Sequence, residues 1–443
     1  MSCSMPKTYV LLISALNKGQ SSKQALDVSW QSAGPKGLGG RTRALAIDQR
    51  NSDIVLAGGV SGGVWKSTDG GNNWEMKTDP NQNMSVTSLA QDPTDPDTWY
   101  YASGEYLGNS ASDRRYTARY LGSGIYKSTD NGETWSVIPS TSDTDVQFNS
   151  PYDYISRIKV SPTTGSVFAA SNALGLYRST DGENFSLVMG DFNDHAWIDF
   201  DIDQQGNIIA VLSSYGFTSN TNPGIFYSTD DGDNWTEVTP DNFPSGHDRS
   251  VISFAPSDPT IAYVFSQKND QSSSPEANQG VSFFKLDVTD PQNPTAEDRS
   301  ANLPDFGDPA GGVDTQGGYN MMVTVKPDDP DFVMVGGTNL FRSRDGFATA
   351  PTNGYDNSNS SQKEEYWIGG YTRQNSYSHY ESHHPDQHVM VYDPNDPTKV
   401  WSGHDGGLSV TDDITRKPVS WEDTDEGYVT GQFSYRGLAA GRR

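Results

Sequence analysis

One short phrase recurs along this chain, and it constrains the fold more than any other feature. It reads STDGGNNW at Ser67–Trp74, STDNGETW at Ser128–Trp135, a shortened STDGENF at Ser179–Phe185 and STDDGDNW at Ser228–Trp235. Worn copies follow at Ser343–Phe347 (SRDGF) and Ser409–Asp412 (SVTD). Self-similarity at spacings of tens of residues is the mark of a repeat architecture, in which one supersecondary unit is copied and stacked. Each of the four fuller copies follows a Gly-headed apolar segment: Gly63–Lys66, Gly124–Lys127, Gly175–Arg178 and Gly224–Tyr227. Alternating apolar residues, a Ser/Asp/Gly turn and then an aromatic make a β-hairpin. In such a turn the Asp accepts backbone N–H groups, the Gly takes a positive φ, and the aromatic fills the gap to the next hairpin.

A second marker recurs where the phrase has worn away. Most units open on an apolar strand ending in an acidic or Pro-rich turn: Arg43–Asp48, Val86–Pro93, Arg157–Pro162, Trp197–Asp201, Val251–Pro256, Val323–Pro327 and Val389–Pro394. A second strand follows each, so the wide interval between Ser228 and Ser343 holds a unit that lost its turn phrase. The expected fold is all-β: a β-propeller of about seven four-stranded antiparallel blades, with the repeated phrase in the third-to-fourth strand hairpins. The expected organisation is a signal or disordered segment over 1–27, the propeller over 28–433, and an irregular tail over 434–443. That tail departs from the repeat, which leaves closure of the ring open.

Composition narrows the partners. The formal net charge of −26 argues against nucleic acid. It reads as a solubilising acidic surface, and the expected state is a monomer. The only cysteine, Cys3, lies ahead of the fold, so no intrachain disulfide can form. Lys7 followed by the apolar run Tyr9–Leu16 has the form of a short secretory signal, too short to span a bilayer. A secreted, cell-surface or periplasmic protein is expected.

In a propeller the loops leading into the innermost strands gather at one mouth of the central channel, away from the repeated turns. Here those loops are polar, and they supply the candidate ligand-binding residues Arg41, Arg43, Arg157, His195, His247, Arg249 and Asn320. The last loop is the most distinctive: five of the seven histidines lie between His379 and His404. On a strand, His384, Asp386 and His388 share one face. They suit a half-site for a divalent metal (Zn or Ca), completed by His404 or Asp405. They equally suit a hydrogen-bonded network or an acid/base set. Trp367 and Tyr371 are candidates for stacking on a sugar or peptide. The long loop from Gly104 to Gly124, with Glu105 and Arg119, is a candidate lid.

The pattern S-x-D-x-G-x-x-W is the Asp box, and the chain resembles the Asp-box propellers, which include sialidases, sortilin-type receptors and xyloglucan-hydrolysing glycosidases. The fuller resemblance is to secreted bacterial proteins related to the sortilin N-terminal and xyloglucanase-type propellers. It is carried by Gly39–Asp48, Ser61–Asp69, Gly317–Asn320, His384–His388 and Asp405–Gly407, and spans Trp30 to Trp421. The resemblance implies a first-blade catalytic Asp in an Asp-x-Gly-Gly turn, but Val60 stands at that position, before Ser61-Gly62-Gly63. No sialidase Phe/Tyr-Arg-Ile-Pro motif is present, so Arg41, Arg43, Arg157 and Arg249 only imitate that family's arginine triad. The expected function is binding of a glycan or polypeptide at the channel mouth. One alternative is a glycoside hydrolase using Asp386 and Asp405; another is a structural or assembly factor.

Overall fold

A computed structural model describes residues 37, 39–106, 108, 119–144, 147–172, 174–190, 197–213, 223–268, 280–306, 311–351, 364–373 and 376–431. The expected segments 1–27 and 434–443, and His195, lie outside the described residues. Seven four-stranded antiparallel sheets follow one another along the chain, each in simple up-and-down order. Their innermost strands are Thr42–Ile47, Ser88–Gln91, Ile155–Val160, Ile198–Ile202, His247–Ala255, Met322–Lys326 and Gln387–Asp393. We number the blades 1 to 7 in this order. A two-stranded hairpin, Tyr371–Arg373 with Ser376–His379, is inserted between blades 6 and 7.

The apolar residues form seven large clusters, each spanning one junction between adjacent blades. A four-stranded sheet has two faces to cover, and stacking the blades radially covers both. The junction of blades 7 and 1 is as well packed as the rest: Trp74, Leu45 and Val55 meet Trp401, Val410 and Tyr428. The Trp74 indole N–H donates to the Thr424 carbonyl (2.6 Å). The N–H groups of Gly39 and Gly40 reach the Asp425 carboxylate and Thr430 hydroxyl at 3.1 and 3.0 Å. The ring is therefore closed, resolving the question left by the tail: residues up to 431 suffice to seal blade 7 against blade 1.

The repeated phrase forms the turn between third and fourth strands, as between Gly63–Ser67 and Glu75–Met76. In blade 2, Ser128 Oγ donates to Asp130 (2.7 Å) and accepts the Gly132 N–H (2.9 Å), while Asp130 accepts the Thr134 N–H (2.9 Å). The same bonds recur around Ser67 and Asp69, and around Ser228 and Asp230. Glycine is required at 132 because φ is +77° and a Cβ would lie 2.6 Å from Leu56 Cδ2 of blade 1. Trp135 then packs on that same leucine, joining the two blades. Blade 5 carries no such phrase, and its third and fourth strands, Val281–Asp287 and Thr295–Asp298, are joined by a different turn.

Antiparallel alternation sends the loops before the first strands, and those between second and third strands, to one end of the ring. The repeated turns lie at the other end.

Candidate functional site

At that first end, loops from blades 1, 2, 6 and 7 converge on one polar cluster. Arg41 and Arg43 border the start of blade 1's inner strand, and Glu105 follows the second strand of blade 2. Tyr319 and Asn320 precede blade 6, Asp386 precedes blade 7, and Asp405 sits in the turn between blade 7's second and third strands. Glu105 is buried and uses both oxygens: Oε2 takes Arg41 Nη2 (2.7 Å) and Oε1 takes Arg43 Nε (2.6 Å). Arg41 also donates to the Tyr319 hydroxyl (2.6 Å), which in turn donates to both oxygens of Asp405 (2.9 and 2.8 Å). His388 Nε2 bonds the same carboxylate at 2.7 Å.

Asp386 is placed by an uncommon backbone. Its φ is +66°, its N–H donates to the Thr338 carbonyl (2.8 Å), and its own carbonyl accepts the Asp405 N–H (3.2 Å). Its carboxyl accepts Asn320 Nδ2 at 2.5 Å. A non-glycine residue in the left-handed region costs about 1–3 kcal/mol, which the surrounding structure must offset.

The two carboxyls are driven apart electrostatically. Burial, then the negative charge of Asp405, pushes Asp386 up to about 7. Burial also raises Asp405, but the bonds from His388 and Tyr319 and the Arg41 cation overcome it and bring Asp405 down to about 2. Burial, with Arg43 nearby, holds His388 neutral, its pKa lowered to about 3, so Nε2–H is the donor to Asp405. His388 Nδ1 then has no hydrogen-bond partner among the described residues. Burial and the Asp405 charge raise the Tyr319 phenol, keeping it a proton donor. Between about pH 2 and about pH 7 the rim thus holds one protonated and one ionised carboxyl.

Other expected site residues divide between the channel and the core. Arg157 and Arg249 line the channel below this rim. His247 is buried on the inner strand of blade 5, its ring nitrogens 3.0 Å from the Pro244 carbonyl and 2.9 Å from that of Leu212, where it pins adjacent blades. Trp367 is a core residue, not a stacking platform: it lies in blade 6's outermost strand, packed on Phe306 and Phe341. Tyr371 packs on that cluster too. His404 is buried and bonds Ser409 Oγ (2.8 Å), while His384 lies over Gly406 with Nδ1 at 2.9 Å from the Pro385 carbonyl.

The one-face premise behind the His384/Asp386/His388 metal set is not met. The strand begins only at Gln387, and the left-handed Asp386 turns the chain just before it. Among the described residues no group of three or more His, Cys, Asp or Glu side chains is placed to hold a metal ion. Glu105 and Tyr319, the hubs of the cluster, were visible in the sequence only as a lid residue and part of a Gly-Gly-Tyr-Asn loop.

Fold and site together describe a seven-bladed propeller with a polarised pair of carboxyls at its mouth. No protein-family model matches the chain. A xyloglucanase from a Paenibacillus species is 28% identical over 251 residues, covering 51% of this chain and 23% of that protein. The matched stretch is thus about half of this chain and a quarter of that curated relative. Among solved structures, the GH74 xyloglucanase of Xanthomonas campestris superposes with a TM-score of 0.58 at 19% identity, covering 90% of this chain and 56% of the other. The Niastella koreensis GH74 enzyme gives 0.54 at 19% identity, covering 89% and 55%. At such identities these structures establish the propeller fold alone. Among the described residues no helix is long and apolar enough to cross a membrane.

Proposed function

We propose that this chain is a glycoside hydrolase that cleaves a β-glucan backbone, of the xyloglucan class, lying across the channel mouth. The observation that carries the reading is the polarised pair: Asp386 raised to about 7 and Asp405 lowered to about 2 on one rim. Two carboxyls pushed to opposite protonation states are what glycosidic cleavage needs. Protonated Asp386 gives its proton to the glycosidic oxygen as the C1–O bond breaks. Ionised Asp405 faces the cationic sugar, and water adds to C1 while losing its proton to that carboxylate. Arg41, Tyr319 and His388 hold Asp405 in place, and Asn320 aims Asp386. The similarity to xyloglucanases supports this reading over simple binding.

Release of reducing ends from xyloglucan and unsubstituted β-glucans tests it. Asp386→Asn should lower turnover of the polysaccharide by about 100-fold or more. The loss should be far smaller on aryl glycosides, whose leaving group needs no proton. Retained polysaccharide binding without any release of reducing ends would overturn the hydrolase.

One observation favours the second reading, a binding propeller for a glycan or polypeptide. Val60, where the resembled enzymes carry a carboxylate, is buried here. Export, guided by the apolar run Tyr9–Leu16, and a monomeric state complete the proposal.

A further inference from the structure

Below the rim, the channel holds a cavity of about 480 Å³ walled by the inner strands. Blades 1, 3 and 5 each send an arginine into it: Arg43, Arg157 and Arg249. The acidic groups around them are already committed. Glu105 is shared between Arg41 and Arg43. Asp199 holds Arg157 through two bonds, of 2.5 and 3.1 Å, and also accepts the Ile252 N–H (3.0 Å). Asp201, one step down the strand, is taken by Lys159 and the Phe254 N–H.

Arg249 is left over. Its Nη1 donates to the carbonyls of Gly318 (2.7 Å) and Tyr319 (2.9 Å), while Nε and Nη2 make no hydrogen bond and the side chain no ion pair among the described residues. It is only partly accessible, and Arg43 and Arg157 lie close enough to repel it; burial and those cations outweigh the attraction of Asp199 and Glu105 and bring it down to about 9. Holding a cation there without an ion-pair partner is unfavourable, and the neighbouring cations add to that cost. Asp199 and Glu105 attract this guanidinium through space, but each is hydrogen-bonded to another arginine, and among the described residues no carboxylate comes within ion-pair distance of Arg249. The Nε and Nη2 edge of a planar fork, at a cavity with two more guanidinium groups lining it, matches the geometry of a carboxylate or phosphate.

We propose that the channel contains an oxyanion subsite, with Arg249 as the primary donor and Arg43 and Arg157 as flanking charges. Its occupant is an acidic group, either the carboxylate of a sugar acid or a free inorganic anion. The subsite concerns binding only and stands whether or not the rim is catalytic. If the occupant is a sugar acid, the recognised glycan bears a carboxylate in the channel while its neutral backbone lies across the mouth.

Isothermal titration with glucuronate, glucose and inorganic phosphate, on the full chain and on Arg249→Met, tests the proposal. Glucuronate or phosphate should bind the wild type at one site, glucose should not, and Arg249→Met should weaken anion binding by at least about tenfold. Glucuronate binding assigns the subsite to a sugar acid, and phosphate binding alone assigns it to a free anion. Thermal unfolding separates recognition from scaffolding. If Arg249 serves a ligand, Arg249→Met is as stable as the wild type or more so without anion, and anion raises the unfolding temperature of the wild type alone. Anion binding that is absent from the wild type, or equal in the two proteins, would overturn the subsite. If the methionine variant fails to fold, Arg249→Lys, which keeps the charge and loses the fork, should still lower anion affinity; unchanged affinity there would overturn it as well.

Discussion

Asp386 gains its chemistry at a thermodynamic cost that can be measured. Its raised pKa means that the folded protein binds the proton more tightly than the unfolded chain does. The cost is therefore absent below the ordinary value of 3.8, grows as pH rises, and is complete above about 7. Asp386→Asn should raise the unfolding temperature at pH 8 and change it little at pH 3.5, as scanning calorimetry would show. The same group governs the rate: turnover by the wild type should fall as pH rises through about 7, because the proton donor is lost. Asp405, brought down to about 2, should place no second limb in the range where the protein stays folded. Tyr319→Phe removes the hydroxyl that links Arg41 to Asp405 and should shift the alkaline limb while leaving the fold intact.

Two devices dominate at the scale of the element. The first is the Ser–Asp turn, repeated at the end of the ring away from the site. Hydrogen bonds from Asn73 and Asn234 hold Asp69 and Asp230 below the usual carboxylate range, and those from Thr134 overcome burial to bring Asp130 down to about 2. A depressed carboxylate stabilises the fold above its ordinary pKa, and that contribution is lost as pH falls through the folded value. Acid unfolding should therefore set in below about pH 4 and steepen toward 2. Asp130→Ala should cost about 1 kcal/mol rather than the sum of its bonds, because solvent competes for an exposed carboxylate. Urea titration would check it. The second device is the pair Asp199 and Asp201, which ties blade 4 to Arg157 and Lys159 of blade 3 and to the backbone of blade 5. Asp199→Ala leaves the half-buried Arg157 without its partner, with an expected loss of about 1–3 kcal/mol by the same urea titration.

Across the whole molecule, one seam joins the ends of the ring. Trp401 is fully buried there, edge-on to Trp74 at a ring distance of 6.4 Å. Trp401→Ala should destabilise the protein by about 3–5 kcal/mol. Opening the seam would expose the apolar sheet faces of blades 1 and 7, so the variant should also self-associate, visible by size-exclusion chromatography, where the wild type should elute as a monomer.

The repeated Ser-x-Asp-x-Gly phrase, the seven opening strands and even the blade without the phrase were legible in the chain itself. Each depends on contacts within tens of residues: a hairpin, its turn, and the alternation of apolar side chains. Asp386 and Asp405 were legible too, as unrepeated residues in a repeated frame. What sequence could not supply is anything that depends on angular position around the ring. Trp367 and Tyr371 have the composition of a stacking platform, but blade 6 turns Trp367 into the core and Tyr371, on the inserted hairpin, packs half-buried against the same cluster. Glu105 and Tyr319, distant in sequence from Arg41 and Asp405, become their partners only when blades 2 and 6 face across the channel. The opposite protonation of the two carboxyls and the unpaired Arg249 arise the same way. Burial and charge neighbours are set by closure of the whole ring, and no local stretch of chain encodes them alone.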